Sequence, residues 1–275
     1  MTEAVGETRY DRIADGYARW WAPIIRPAAE RVLDIAVPAL EAGATRVIDI
    51  GTGTGTLALA AIERWQAVEV TGVDPSAGMI EMARAEARRR LSVRDRRRYR
   101  TATAFADRLP YPDSSFDLGL SSFVLQLVPN RAAALREARR VLRAGATFAW
   151  VTWLVGGARC AADDIADAVL DDAGFDPPDA DPRCGDVPSL GSAAAAMRRA
   201  GFRDVHVSEG LLEHAWDPAG YLGFLTEFDE ETLFAELDEG ERAEIVERLR
   251  IRLRGLTAAE LTLRLPTVYV SGRAA

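Results

Sequence analysis

Asp49 and the glycines that follow it have the types and spacing best suited to bind a ligand. The apolar run 47–50 contains Asp49 and leads into a loop with glycine at alternate positions, Gly51, Gly53 and Gly55. Glycine adopts positive φ and leaves room for a ligand beside the main chain. The alanine- and leucine-rich segment that comes next predicts a helix, whose N-terminus would present backbone N–H groups. The pattern predicts a nucleotide-type binding loop.

The spacing of the glycines discriminates between nucleotides. A dinucleotide site has Gly-x-Gly-x-x-Gly, whereas here the third glycine comes one position early and Thr56 takes the sixth place. A P-loop needs Lys followed by Ser or Thr, but all 34 basic residues of this chain are arginines. The sequence therefore disfavours a nicotinamide or flavin site and excludes ATP hydrolysis of the P-loop type.

Asp74 supplies a second carboxylate at a useful separation from the loop. The run 70–74 predicts the next strand, which ends in Asp74 roughly twenty residues after Gly51. A strand-helix-strand unit brings such an acid beside the glycine loop, where it can bind a ribose. Pro75 and Ser76 then favour the start of a second helix.

The motif Asp49-x-Gly51-x-Gly53-x-Gly55, followed by Asp74, resembles that of the class I S-adenosylmethionine (SAM)-dependent methyltransferases, close to their quinone-biosynthesis and small-molecule branch. The resemblance implies an α/β fold. Its Rossmann-like sheet has seven mostly parallel strands with helices on both faces. An N-terminal helical lid and a helical insertion between the last two strands complete the expected architecture.

The same resemblance implies the residues of a SAM site. Asp74 would bind both ribose hydroxyls, and Met79 would pack on the adenine. Ala106 and Asp107 would recognise the adenine edge, although many relatives have aspartate where this chain has Phe105. The residues assigned to the cofactor are Tyr17, Asp49, Gly51, Thr52, Gly53, Asp74, Pro75, Met79, Ala106, Asp107 and Ser121.

Three further segments resemble the family. The run 105–117 looks like its Leu-Pro-Phe-Pro-Asp-x-x-Phe-Asp motif, and the run 118–126 is expected to be a buried strand that ends at the cofactor. In the following helix-to-strand joint, Ala144 and Ala146 replace the usual proline and glycine. Residues around 205–207 and 263–270 would form the last two strands.

The expected organisation is one domain in three parts. These are an N-terminal helical lid (1–44), a SAM-binding core (45–155) and a segment that completes the sheet and adds substrate-cap helices (156–275). Tyr17 lies in an aromatic segment at helical spacing, which fits either a cofactor lid or ordinary packing. The proline- and acid-rich loop 174–183 is expected to border the acceptor pocket.

Composition limits the other functions. A chain of 275 residues with 48% hydrophobic residues can form one large core. It has no run able to span a bilayer and no N-terminal signal pattern, so we expect a cytoplasmic protein. A monomer or homodimer is expected. Cys160 and Cys184 lack metal-ligand spacing, so no metal site is expected.

The net charge of −8 argues against a nucleic-acid partner. The arginine-rich stretch 88–100 could hold an RNA backbone, but a solvated helix end explains it better. The residues 121–124 also differ from the Asn-Pro-Pro-Tyr motif of base methyltransferases, so a small-molecule acceptor is expected.

The implied chemistry is in-line attack of an O, N or C atom of a small, aromatic or lipophilic metabolite on the sulfonium methyl, which leaves S-adenosylhomocysteine. No catalytic residue stands out, and His214 is a weak candidate for a base. Two alternatives stay open. One is a SAM-binding protein of the same fold that does not transfer methyl. The other is an NAD-dependent oxidoreductase, because fold and ribose acid are shared.

Overall fold

A computed structural model describes residues 5–157, 160–175 and 184–275, with the backbone alone for 5–8. Most of the predicted loop at 174–183 lies outside these residues. No helix in the described part of the chain is both long and apolar enough to cross a membrane.

The core is a seven-stranded sheet in the order β3-β2-β1-β4-β5-β7-β6. Strands β1 to β5 pair in parallel, and β7 is antiparallel to both of its neighbours. This arrangement confirms the predicted mostly parallel α/β fold. The strands are β1 (Arg46–Ile50), β2 (Glu69–Asp74), β3 (Tyr99–Thr103), β4 (Phe116–Ser122), β5 (Leu142–Trp153), β6 (Phe202–Ala215) and β7 (Thr262–Ala274).

Helices cover both faces of the sheet and the edge where the parallel strands end. The α-helices are α1 (Val5–Arg12), α2 (Ala14–Gly16), α3 (Ala22–Glu41), α4 (Thr56–Arg64), α5 (Ala77–Arg90), α6 (Val93–Arg96), α7 (Arg131–Val141), α8 (Ala161–Asp172), α9 (Leu190–Arg199), α10 (Pro218–Phe224), α11 (Glu231–Glu236) and α12 (Glu239–Leu253). Two π-helical segments interrupt this series, π1 (Tyr17–Trp21) and π2 (Leu225–Asp229).

The central strand β1, which leads directly into the glycine loop, is buried in the core. Val47, Ile48 and Ile50 are at most 1% exposed, because hydrophobic clusters lie on both faces of the sheet. The parallel strand β2 pairs with β1 over Arg46–Ile50, and the parallel strand β4 pairs with residues 47–49. Their carboxyl ends therefore meet at one edge, which is where ligands bind in open α/β sheets.

The strand β4 is shorter than expected from the sequence. The run 118–126 was predicted to be one strand, but β4 ends at Ser122 and Phe123 adopts a φ of 55°. The Phe123 N–H still donates to the carbonyl of Val151 on β5, and the Leu127 N–H then donates to the Val124 carbonyl, which closes a turn. The apolar residues that follow are buried by the turn and not by strand pairing, a difference that hydrophobicity alone does not reveal.

The lid and the insertion pack against each other above the ligand edge. Strands β6 and β7 continue beyond β5 as a two-stranded extension, in which residues 211–215 pair with residues 262–266. Helix α10, segment π2 and helices α11 and α12 follow β6. Helix α10 and π2 contact π1, α11 packs against π2, and α12 packs against α10. A β-carbon at Gly16 would overlap the Glu227 carbonyl, and one at Gly223 would overlap the Trp20 ring. Both glycines thus allow a very close helix crossing.

Candidate active site

The three loop glycines meet three different neighbours, and a β-carbon on Gly55 would lie 3.2 Å from the Tyr99 hydroxyl. All have positive φ: 71° at Gly51, 53° at Gly53 and 86° at Gly55. A β-carbon on Gly51 would overlap the side chain of Val124, whereas one on Gly53 would have the Tyr17 hydroxyl as its nearest neighbour at 3.9 Å. The space beside Gly51 is thus filled by the Val124 side chain, whereas the backbone at Gly53 can be approached by a ligand.

Asp49 is buried beneath this loop. It is 1% exposed, and its Oδ2 accepts a hydrogen bond of 2.8 Å from the Thr52 hydroxyl. Its Oδ1 is buried with no hydrogen-bond partner among the described residues. Burial raises the pKa of Asp49 to about 7, and the charge of Asp74 adds to this effect while the Thr52 hydrogen bond opposes it. An unsatisfied carboxylate oxygen here is a ready acceptor for a ligand N–H or O–H group.

Thr52 is fixed by two residues that the sequence analysis did not assign to the site. Its hydroxyl lies 3.4 Å from the Tyr99 hydroxyl. A β-carbon on Gly72 would come within 2.7 Å of the Thr52 Oγ1, so the adjacent strand must carry glycine there. A glycine inside a strand pattern is a recognised sign of close approach and could have identified Gly72. No sequence signal points to Tyr99.

Asp74 reaches the loop from the end of β2. Its Oδ2 accepts the Gly53 N–H at 2.9 Å, and its Oδ1 accepts the Ser76 N–H at 3.0 Å. Burial raises its pKa to about 6, although these two hydrogen bonds favour the ionised form. The carboxylate is thereby held in one orientation beside the loop, and each oxygen keeps a free lone pair for a hydroxyl group.

The start of α5 follows directly. The Ser76 hydroxyl accepts the Met79 N–H at 3.0 Å, which begins the helix, and Met79 is 2% exposed. Pro75 lies between this cap and Asp74. The Ser76 hydroxyl donates in turn to Asp11 of α1, which also accepts the Gly78 N–H at 2.9 Å. Asp11 was not anticipated, because nothing in the sequence connects it to α5.

The segment predicted to contact adenine lies next to Asp74. The Ala104 N–H donates to the Asp74 carbonyl at 3.0 Å, which leads the chain away from β3 toward residues 105–107. Ala106 is buried, Asp107 is exposed, and Phe105 is 43% exposed. The large exposed ring of Phe105 thus occupies the position where many relatives have an aspartate.

Tyr17 lies above Gly53 on the lid. Burial and the nearby charges of Asp74 and Asp49 raise its pKa, so the phenol stays neutral. Its ring lies 5.8 Å from that of Phe228 in π2. The other aromatic side chains of this region form a continuous cluster behind it, made of Trp21, Phe123, Trp153, Trp216, Tyr221, Phe224 and Phe228.

Two predicted residues serve other contacts in the structure. The Ser121 hydroxyl donates to the Ile50 carbonyl at 2.8 Å, beneath the loop. His214 lies on the extension of β6. Its ring and that of Trp216 form a T-shaped pair with centroids 4.4 Å apart. Burial lowers the pKa of His214 and so favours the neutral imidazole. The described contacts connect it to the cluster only through Trp216.

The residues present fit a nucleoside carrying a polar amino-acid-like group. Asp74 can bind a diol, Gly53 leaves the backbone open, and Asp49 Oδ1 offers an acceptor deep in the loop. Aromatic faces beside such a site can also stabilise a cation. The structure thus brings together Tyr17, Asp49, Thr52, Gly53 and Asp74, and it places Met79 and Ala106 on the segments that follow β2 and β3.

Comparison with known proteins agrees with this arrangement. Residues 48–150 match the family model described as "Methyltransferase domain". A malonyl-[acyl-carrier protein] O-methyltransferase of Halorhodospira halophila is 34% identical over 133 residues, which cover 48% of this chain and 40% of that protein. A demethylmenaquinone methyltransferase of Thermus thermophilus is 39% identical over 116 residues, which cover 42% and 49% respectively. The match thus spans less than half the length of either curated relative.

Solved structures share the fold over most of the chain. The [4+2]-cyclase SpnF gives a TM-score of 0.60 at 18% identity and covers 98% of this chain and 95% of its own. The YcgJ protein from Bacillus subtilis gives 0.56 at 21% identity, with 88% and 97% covered. At these identities the likeness concerns the fold alone. The sequence matches go further: residues 48–150 match a methyltransferase domain, and the curated relatives that share this segment are named as methyltransferases, which supports SAM as the cofactor.

Proposed function

We propose that the protein transfers a methyl group from SAM to an O, N or C atom of a small aromatic or lipophilic molecule. The observation that carries this proposal is the contact between the Asp74 carboxylate and the Gly53 N–H, at 2.9 Å. It fixes a diol-binding acid against the open part of the glycine loop. The methyltransferase-domain match over residues 48–150 supports the same assignment.

In this proposal the loop and its neighbours bind the cofactor. Asp74 accepts hydrogen bonds from the ribose hydroxyls, and Met79 supplies apolar surface for the adenine. The Ala106 backbone and Asp107 recognise the adenine edge. Gly51, Thr52 and Gly53 shape the loop, and Pro75 directs the chain from Asp74 into α5. Asp49, below the loop, offers its unpartnered Oδ1 to a donor group of the ligand.

The side chains around the transfer path exclude water and align the reactants. SAM supplies an electrophilic methyl group on a sulfonium, so alignment is the main task of the protein, and it can contribute up to ~7–11 kcal/mol. Tyr17, in the lid, lies over Gly53 of the loop. Trp21, also in the lid, packs against Trp153 of the aromatic cluster. Closure of such a site strengthens the electrostatic interactions within it.

Isothermal titration calorimetry with S-adenosylhomocysteine tests the binding site. We expect the wild type to bind, and Asp74→Asn to bind roughly tenfold to a hundredfold more weakly, because hydrogen bonds to a charged carboxylate are replaced by bonds to a neutral amide. Asp34→Asn, a change on the exposed α3 surface, is the matched control and should bind as the wild type does. NADH serves as the competing ligand, and binding of NADH alone would contradict the proposal.

Transfer itself requires a second measurement. The protein is incubated with SAM labelled in the methyl group and a panel of phenols, amines and prenyl compounds. Formation of S-adenosylhomocysteine that depends on one of these acceptors is the expected result. Tight binding of SAM without acceptor-dependent turnover across the panel would favour the alternative, in which the cofactor site serves ligand sensing or another reaction.

A further inference from the structure

The turn that follows β4 holds Phe123 in an unusual conformation. Its φ of 55° lies in the left-handed region, which side chains with a β-carbon rarely adopt. Residues held in such conformations are retained where the surrounding structure over-determines them, and they concentrate at functional sites. Phe123 is also 5% exposed, so its large ring is fixed as well as its backbone.

A buried polar side chain supports this turn. The Gln126 amide Nε2 donates to the Phe123 carbonyl at 2.8 Å, and the Gln126 Oε1 accepts from the Thr152 hydroxyl. The Phe123 N–H donates to Val151 at 2.8 Å. Gln126 is 6% exposed, and both ends of its amide are engaged, so the hydrogen bonds fix Phe123 relative to β5.

The turn touches both the cofactor loop and the aromatic cluster. Val124, the next residue, fills the space above Gly51 that a β-carbon would need. On the other side, the ring centroids of Phe123 and Trp153 are 4.1 Å apart, and those of Trp153 and Trp21 of the lid are 6.0 Å apart. Phe123 therefore lies between the loop that would hold the methyl donor and the lid that would cover the acceptor.

We propose that Phe123 is a specificity-determining residue of the acceptor site and that Gln126 is the positioning residue that holds it there. This inference rests on the proposed function. The Phe123 and Trp153 rings pack against each other, with centroids 4.1 Å apart and planes at 34°, and a flat aromatic acceptor packs against this pair when the lid opens. Stacked and edge-to-face ring pairs add to affinity beyond the area they bury.

The first test measures binding of 2-naphthol to the protein saturated with S-adenosylhomocysteine, by calorimetry. Phe123→Leu keeps an apolar side chain but removes the ring, and should weaken 2-naphthol binding about tenfold. Phe202→Leu is the matched control, because Phe202 is 4% exposed and pairs with Phe148 at 5.7 Å in the other hydrophobic cluster. This control should bind 2-naphthol as the wild type does.

The second test separates positioning from general stability. Gln126→Leu removes both amide hydrogen bonds at similar volume. We expect it to weaken binding of 2-naphthol as Phe123→Leu does, while the affinity for S-adenosylhomocysteine stays unchanged. A variant that only loosened the fold would lower both affinities together, and that result would overturn the positioning role.

The outcomes also distinguish this inference from the proposed function. If the wild type binds S-adenosylhomocysteine but not 2-naphthol, or if Phe123→Leu binds 2-naphthol as well as the wild type, the inference fails and the proposed function stands. If the wild type does not bind S-adenosylhomocysteine, both fail. Comparison with trans-2-decalol, the saturated analogue of 2-naphthol, tests stacking directly, and equal binding of the two would overturn it.

Discussion

Asp11 accepts a hydrogen bond from the hydroxyl of Ser76, the residue that caps α5 and whose N–H also binds Asp74. The N-terminal segment is therefore connected to Asp74 through a single residue. On its other side the same segment contacts the insertion, since Arg9 donates to the Asp229 carbonyl at 3.1 Å and Trp20 to Glu227 at 2.6 Å. The N-terminal segment thus bridges the start of α5 and the insertion between β6 and β7.

Replacement of Asp11 should loosen the lid. In Asp11→Ala the Gly78 N–H and the Ser76 hydroxyl lose their shared acceptor, which costs about 1 kcal/mol, as loss of other helix caps does. Hydrogen exchange should become faster in residues 9–21 and in the first turn of α5. Asp15→Ala, at an exposed position of the same segment, should leave exchange unchanged. Equal exchange in the two variants would refute the bridging role.

The loop glycines should respond differently to alanine. Gly51→Ala forces Val124 to move and should destabilise the protein by about 2–4 kcal/mol. Gly53→Ala meets no close neighbour and should cost only the ~1 kcal/mol of an alanine at positive φ, yet it should abolish binding of S-adenosylhomocysteine. Thermal unfolding and calorimetry measure the two effects.

Gly145→Ala is the control for the backbone cost. Gly145 has a φ of 80°, and a β-carbon there would meet nothing within 4 Å. It should lose as much stability as Gly53→Ala and bind S-adenosylhomocysteine normally. Normal binding by Gly53→Ala would show that the ligand does not approach this part of the loop.

The buried carboxylate of Asp49 should make stability depend on pH. Its pKa rises from an ordinary 3.8 to about 7, so the folded protein binds a proton that the unfolded chain releases. The stabilisation is complete below about pH 4 and is lost as pH rises through 7, at up to about 1.4 kcal/mol per pH unit. Asp49→Asn should flatten this slope in the ligand-free protein. Thermal unfolding between pH 5 and 8, at roughly constant ionic strength, measures it, and parallel curves for the two proteins would contradict the assignment.

One arginine of the basic stretch should be structural. Arg98 donates to the carbonyls of Ile62, Trp65 and Val68 at 2.8–2.9 Å, at the end of α4. Arg98→Ala should therefore destabilise the protein by about 2 kcal/mol, because these partly buried carbonyls lose a charged donor. Arg97→Ala, at an exposed neighbouring position, should change stability by less than about 0.5 kcal/mol. Denaturant unfolding compares the two, and equal effects would argue against the capping role.

The sequence by itself determined the α/β fold and the centre of the candidate site. The glycine spacing after Asp49 and the acid at Asp74 are short sequence patterns. Each lies at the end of a strand that can be recognised from its apolar residues. Parallel strands end at one edge, and so the meeting of Asp74 with Gly53 could be anticipated. The family resemblance supplied the remaining assignments, including Met79 and Ala106.

The tertiary structure alone decided which groups surround that centre. Asp11, Tyr99 and Val124 come from distant segments, and their contacts depend on how helices cross and how far side chains reach, which no local pattern encodes. The end of β4 was mispredicted for the same reason: Phe123 is as apolar as a strand residue, but the hydrogen bond from Gln126 and the contact of Val124 with Gly51 turn the chain there. Hydrophobicity specifies that a residue is buried, and only packing specifies against what.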